Sequence, residues 1–268
     1  MAVGMARGEE VQSAVNYDSG SKSKYSVDMT KPMVAQVGHL GAYYDEWVHQ
    51  PVMRKGSPRF FHSNVLEMGT KAKWWMIPGI WGPAVAVCVY RAVSEGLPLH
   101  MVVATFCVGL LMWTLVEYIL HRFLFHMKTS SYWSNTIHYV LHGFHHKHPM
   151  DSDRLVFPPL FALSIIIPVW FALQLVVPSP AYHSSLFGGL LSGYILYDVT
   201  HYYLHFGMAF TPRLHKMKKD HSDHHFKNQL YNYSFGVTSP FWDIVFNTLP
   251  PSKAFFRHIR QTNAVYSQ

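Results

Sequence analysis

Long apolar runs separated by short polar segments dominate this chain. Four of them, about 74–93, 99–120, 155–177 and 186–206, approach the ~20 residues an α-helix needs to cross ~30 Å of hydrocarbon at 1.5 Å per residue. The pattern predicts an all-α integral membrane bundle of about four transmembrane helices over residues 31–268, with the intervening polar segments forming a helical cap. The runs at 99–120 and 155–177 are the most uniformly apolar. The first run carries Pro78, Gly79, Gly82 and Pro83, which a membrane helix tolerates when neighbours re-satisfy the freed backbone groups. The fourth carries Asp198, His201 and His205, which are costly against lipid and are expected to face the bundle interior or to lie past the membrane edge. Buried helices of a large soluble protein are the competing reading, and four such runs in 268 residues weigh against it. Residues 1–30 are small and polar and include Ser19-Gly20-Ser21-Lys22-Ser23-Lys24, so a disordered tail is expected there. No apolar segment with a small-residue cleavage site follows Met1, and no secretory signal peptide is expected.

Charge placement gives an independent test of the membrane reading. Residues 1–73 hold nine Lys and Arg, residues 121–154 hold four, residues 207–268 hold eight, and the connections 94–98 and 178–185 hold none. Basic loops stay cytosolic, so both termini and the long central connection are predicted on that side. The same asymmetry accounts for the net charge of +7 without nucleic acid, and anionic lipid headgroups are the natural neighbours. Only 14% of residues are charged, against roughly 25% in ordinary soluble domains. Cys88 and Cys107 both lie in apolar runs, which excludes a disulfide scaffold or a Cys-rich zinc module and points to a reducing compartment.

Nineteen histidines outnumber the fifteen acidic residues, more than surface and occasional core positions absorb. Ten of them fall in four groups at the predicted cytosolic ends of the second and fourth crossings: His121 and His126; His142, His145 and His146; His201 and His205; His221, His224 and His225. Positions i, i+3 and i+4 share one helix face, so each His-x-x-His-His is expected to aim three imidazoles at one point. His121 and His126 would diverge by about 140° on an ideal helix, so the second crossing is expected to unwind or bulge near Phe125. Ten imidazoles give two metal ions about five nitrogens each and leave an open position for chemistry. His39, His49, His62, His100, His183 and His258 are read as structural, while His138, His148 and His215 stay open as neighbours or extra ligands. Glu117 and Asp198, one turn before His121 and His201, either accept a ligand's second ring proton or serve as caps and ion-pair partners, and Asp223 shares those alternatives. Tyr197, Tyr202 and Tyr203 are candidates for substrate contact or for aromatic packing.

The combination of HxxxxH, two HxxHH and HxxxH resembles the membrane fatty acid hydroxylase and sterol desaturase superfamily. Within it, Gly41-Ala-Tyr-Tyr-Asp-Glu-Trp-Val-His-Gln-Pro51, His121-Arg-Phe-Leu-Phe-His126, His142-Gly-Phe-His-His146, Tyr197-Asp-Val-Thr-His-Tyr-Tyr-Leu-His205 and Thr238-Ser-Pro-Phe-Trp-Asp243 resemble fatty acid 2-hydroxylases. HxxHH alone is shared by several families, whereas the combination is specific. The resemblance implies an endoplasmic reticulum enzyme of sphingolipid biosynthesis that inserts one oxygen atom of O2 at carbon 2 of a long acyl chain, carried by or destined for ceramide. It implies that the ten histidines are the ligands of two metal ions, with Tyr197 and Asp198 as candidate catalytic or substrate-contacting residues. Many relatives carry a fused cytochrome b5 domain with a His-Pro-Gly-Gly haem motif. That motif is absent from this sequence, so the resemblance is to the shorter plant form, with electrons passing from NADPH through a separate reductase and cytochrome b5.

The chemistry is consistent with the residue types. Breaking an unactivated C–H bond needs a redox metal, and iron suits an imidazole-rich site. Zinc cannot cycle, although it can occupy the same nitrogens in a purified sample. A metal at the cytosolic membrane edge would meet carbon 2 of a chain whose head stays at the interface and whose tail lies in an apolar channel. Two alternatives remain: a sphingoid-base or sterol oxidase of the same superfamily, and a non-catalytic membrane protein that stores or senses metal.

Overall fold

The computed structural model describes residues 26–54, 56–227 and 230–251. Most of the tail expected over residues 1–30 and the whole of His258 lie outside them. The described residues are helical and contain no strand. A short α1 (Val34–Val37) and a 3-10 segment (Gly38–Tyr43) lead into α2 (Tyr44–Val48) and α3 (Asn64–Gly69). The long helices α4 (Met76–Ser94) and α5 (Leu99–Ile119) follow. Beyond a wide turn over Leu120–Phe125 come α6 (Tyr132–His138), a second wide turn (Tyr139–Gly143), α7 (Phe144–Lys147), α8 (Pro159–Val176), α9 (Pro180–Phe206), α10 (Pro212–Phe226) and α11 (Phe241–Val245).

Among the described residues, three segments are long and apolar enough to cross a membrane: Met76–Ser94, Leu99–Phe125 and Pro159–Val176. Their exposed surfaces are largely apolar, as lipid-facing helices require, with the exposed Arg91, His100 and Gln174 placed near helix ends. The fourth run, 186–206, lies within α9, whose 27 residues span roughly 40 Å. It starts six residues before the expected boundary because Pro180 occupies its first turn, where a missing N–H costs nothing. It is not among the three because α9 sits inside the bundle, where Asp198 and His201 are buried by protein and no lipid-matching surface is needed. The third run begins later than expected. Leu155 and Val156 are buried in irregular backbone, and Pro158-Pro159 opens α8.

Close approach between α5 and α9 makes the bundle tight. A methyl group on Gly109 would strike the Leu186 carbonyl, and one on Gly189 would strike that of Phe106, so only glycine allows these backbones to touch. Ser185 adds polar glue by donating to the Val102 carbonyl at 2.8 Å. The cap has its own core, in which Met33, Val37, Tyr44, Val48 and Phe60 pack on Tyr139 and Phe144. Its helices begin where polar side chains satisfy free N–H groups: Ser131 and Ser134 form a reciprocal capping box at α6, and Thr211 caps α10.

Candidate metal centre

The ten grouped histidines come from the two wide turns, His126 directly following the first, and from α7, α9 and α10, and they converge into two adjacent sets of five. One contains His121, His126, His142, His146 and His224; the other contains His145, His201, His205, His221 and His225. Within each set, one ring nitrogen per residue lies within 4.8 Å of all the others. The sets adjoin, with the rings of His146 and His225 4.4 Å apart.

Local backbone geometry explains how the first set assembles. After α5 the helix widens into π turns, and the His126 N–H donates to the His121 carbonyl, five residues back, at 3.1 Å. The extra residue per turn brings His126 round to the side of His121, with ring centroids 5.0 Å apart, as the expected bulge requires. A second π turn, over Tyr139–Gly143, precedes α7 and places His142 beside both, a feature without a signal in the histidine spacing.

The expectation that each His-x-x-His-His aims three rings at one point is not met. His142 and His146 enter the first set while His145 enters the second; His221 and His225 enter the second while His224 enters the first. The i+3 and i+4 positions differ by about 100° around a helix, which is enough to serve two neighbouring points. Each motif therefore straddles both sets.

The donor set suits metal ions. The Nε2 atoms of His146 and His126 are 3.1 Å apart, those of His146 and His142 3.1 Å, those of His205 and His221 2.8 Å, and those of His225 and His221 3.2 Å. Nitrogens held about 2.1 Å from one ion at right angles would lie about 3.0 Å apart. The Nε2 atoms of His121, His145, His201 and His224 are buried without a hydrogen-bond partner. His121 Nδ1 lies 2.6 Å from the Phe235 carbonyl and His224 Nδ1 2.8 Å from that of Tyr233. A carbonyl only accepts, so Nδ1 carries the proton and Nε2 presents its lone pair inward. Burial first, and neighbouring imidazoles second, hold His142, His145, His146, His221, His224 and His225 well below the ordinary histidine value, so these rings are neutral donors.

The carboxylates do not orient the histidines. Glu117 is taken up by the N–H groups of Val237 and Thr238 at 2.7 and 2.8 Å and by the Thr238 hydroxyl at 2.6 Å. Asp198 accepts from the Phe157 N–H at 3.1 Å, and Asp223 pairs with Lys219 and Lys227 at 2.7 and 2.8 Å. Backbone carbonyls from residues 233 and 235 take the orienting role instead. His138 is bonded to the Tyr44 hydroxyl at 2.7 Å, His148 packs on Phe144, His215 is exposed, and none joins either set. His49, read as structural, lies against the first set, 5.0 Å from the His146 ring and stacked on Tyr231 at 4.0 Å. Its position in the Gly41–Pro51 stretch was the only signal for this.

A cavity of about 480 Å³ opens onto both sets through His142, His145 and His201. From there it follows α8 from Ala162 to Val176, roughly 21 Å of helix, between apolar side chains of α5, α8 and α9. Tyr197 and Asp198 line its inner end, and the Tyr197 ring lies 5.8 Å from that of His201. Tyr202 packs on Phe206 and Tyr203 donates to the Met208 carbonyl, so neither reaches the cavity.

This arrangement has counterparts among known proteins. The dihydroceramide fatty acyl 2-hydroxylase FAH1 of Arabidopsis thaliana is 50% identical over 230 residues, covering 86% of this chain and 96% of that protein. The human fatty acid 2-hydroxylase is 43% identical over 248 residues, 85% of this chain and 65% of that protein. A solved structure described as full-length scs7p with only its hydroxylase domain visible superposes with a TM-score of 0.78 at 36% identity, covering 84% of this chain and 86% of that one. The family described as fatty acid hydroxylase matches residues 106–248, a range holding all ten clustered histidines. By sequence, fold and the placement of its histidines, the chain belongs to the fatty acid hydroxylase family.

Proposed function

We propose that the protein is a membrane-bound, O2-dependent 2-hydroxylase of long acyl chains, acting on fatty acid or on the N-acyl chain of ceramide in sphingolipid biosynthesis. The observation that carries this reading is the apolar channel ending at the two histidine sets: it would hold an acyl tail and stop its head-proximal carbons beside both. The names of the relatives, which include dihydroceramide fatty acyl 2-hydroxylases, support the same substrate class. His121, His126, His142, His146 and His224 would hold one metal ion, and His145, His201, His205, His221 and His225 the other. Iron is the metal expected for activity, with zinc able to occupy the same nitrogens. When bound, the metal pair supplies O2 activation, so that one oxygen atom enters a C–H bond and the other leaves as water with two electrons and two protons.

The chain's own contribution is to bind, orient and exclude water. Apolar side chains of α5, α8 and α9 desolvate the tail. Tyr197 and Asp198, on the wall beside His201, would meet the polar head and set which carbon stops there. Phe235 and Tyr233 hold two imidazoles in the tautomer that leaves Nε2 free. Electrons would come from NADPH through a reductase and cytochrome b5. The asymmetric distribution of Lys and Arg supports a multi-pass arrangement in the endoplasmic reticulum membrane, with the described cap and the metal sites cytosolic. Membranes carrying the protein, supplied with NADPH, reductase, cytochrome b5, iron, a defined ceramide and 18O2, should yield 2-hydroxyacyl product with one 18O atom. A hydroxyl on the sphingoid base, or product without label, would reject the assignment.

A further inference from the structure

The stretch around Thr238–Asp243 has a face that the hydroxylation chemistry does not use. Phe241, Ile244, Val245, Phe246 and Leu249 project outward from α11 and the turn after it, with exposures of 39 to 61%. Between residues 234 and 250 the one charged side chain, Asp243, is fully buried. A water-facing surface of that length would carry charge.

The neighbours of α11 identify what covers it. The Trp242 indole N–H donates to the Thr114 hydroxyl at 3.0 Å, and the Phe246 ring stacks on Tyr118 at 5.2 Å. Thr114 and Tyr118 lie inside the apolar segment Leu99–Phe125, and Thr114 is roughly 16 Å of helix from its end. The outer face of that segment is apolar at Leu111, Ile119 and Phe123, so the α11 face continues the exposed apolar surface of a segment long enough to cross a membrane. Backbone donors in the segment are satisfied from within, as hydrocarbon demands. Glu117 takes the N–H groups of Val237 and Thr238, and Asp243 takes those of Phe235 and Gly236.

We propose that α11 and its flanking turn form an in-plane membrane anchor, seated among the acyl chains of the leaflet on the histidine side, with lipid as the occupant of its outer face. The proposal rests on the membrane reading of α5 and is independent of the hydroxylation chemistry. Since Phe235 accepts from His121, the anchor also ties one wall of the first histidine set to the depth of the bilayer.

The test uses the intact, unmodified chain in phosphatidylcholine vesicles doped with a lipid bearing a photoactivatable diazirine at mid acyl chain, followed by peptide mapping. Because an acyl-borne carbene is confined to hydrocarbon, adducts on residues 241–249 should exceed those on Arg213–Lys219 of α10 about tenfold or more, alongside adducts on Leu111 and Phe123. Labelling of α5 without residues 241–249 overturns the anchor. So does labelling of residues 241–249 only from a headgroup-borne diazirine. Absence of label from both α5 and α11 overturns the membrane reading and the anchor together.

Discussion

Arg154, on the wall of the channel, is tied into the cap, and its removal gives a prediction whose size follows from its contacts. Its side chain is 3% exposed. The guanidinium donates to the Glu67 carboxylate, to the Thr70 hydroxyl at 3.0 Å, to the Pro58 carbonyl at 2.9 Å and to the Ser57 hydroxyl. It also lies over the rings of Phe60 and Phe144, at 4.4 and 5.3 Å. Burial raises the Glu67 carboxyl, but the N–H groups of Phe61 and Phe60 and the Arg154 charge outweigh it and leave the group below the ordinary glutamate value. Arg154→Met keeps most of the apolar stem and strands that carboxylate. Removing one partner of a buried pair costs about 3–5 kcal/mol, a large part of a typical stability of roughly 5–15 kcal/mol. For a chain of this size that is a fall in Tm of roughly 6–20 °C, read by thermal unfolding in nanodiscs. The double variant Arg154→Met, Glu67→Gln removes the stranded charge and should regain part of the loss. A single variant within about 2 °C of wild type, or a double variant worse than the single, would refute the reasoning.

Three further outcomes follow from the geometry. His145→Ala and His146→Ala should each weaken a different ion by about tenfold or more, so each single variant keeps one metal and the double variant keeps neither; loss of the same ion in both singles would contradict the split. Ile166→Trp should obstruct the channel and, by excluding about two methylenes at ~0.8 kcal/mol each, lower kcat/KM for long acyl substrates about fifteenfold at unchanged metal content. An unchanged rate would remove the channel from the substrate path. Burial pushes His138 and His148 down to about 4, against roughly 6.5 when unfolded, so the unfolded state binds more protons between these values and stability falls as pH drops through that window. The two groups together should cost about 2 kcal/mol between pH 6.5 and 5.5, and a flat unfolding midpoint over that range would count against neutral burial.

Much of the site was legible in the sequence because imidazole spacing is a geometric statement. A gap of five between His121 and His126 is incompatible with one side of an α-helix, and the π turn resolves it. The membrane segments were legible because hydrocarbon thickness dictates run length, and α9 was misjudged at its start because Pro180 extends the helix beyond its apolar part. The division of each HxxHH between two sets was not legible. Spacing gives the 100° between i+3 and i+4 but says nothing about whether one or two points lie opposite. Nor were the groups that orient His121 and His224, which are main-chain carbonyls without any residue-type signature, the first of them 114 residues away in the chain. The Arg154 clamp was equally silent, since an arginine that pairs across 87 residues looks like any loop cation.

The central claim is that ten histidines form two adjacent five-nitrogen sites. Stepwise addition of Co(II) to the metal-free protein, followed by its visible absorption bands, tests it most directly. The account predicts saturation at two ions per chain, with the second ion altering the spectrum of the first because His146 and His225 stand 4.4 Å apart across the boundary. Saturation at a single ion, or two ions with spectra blind to one another, would contradict it.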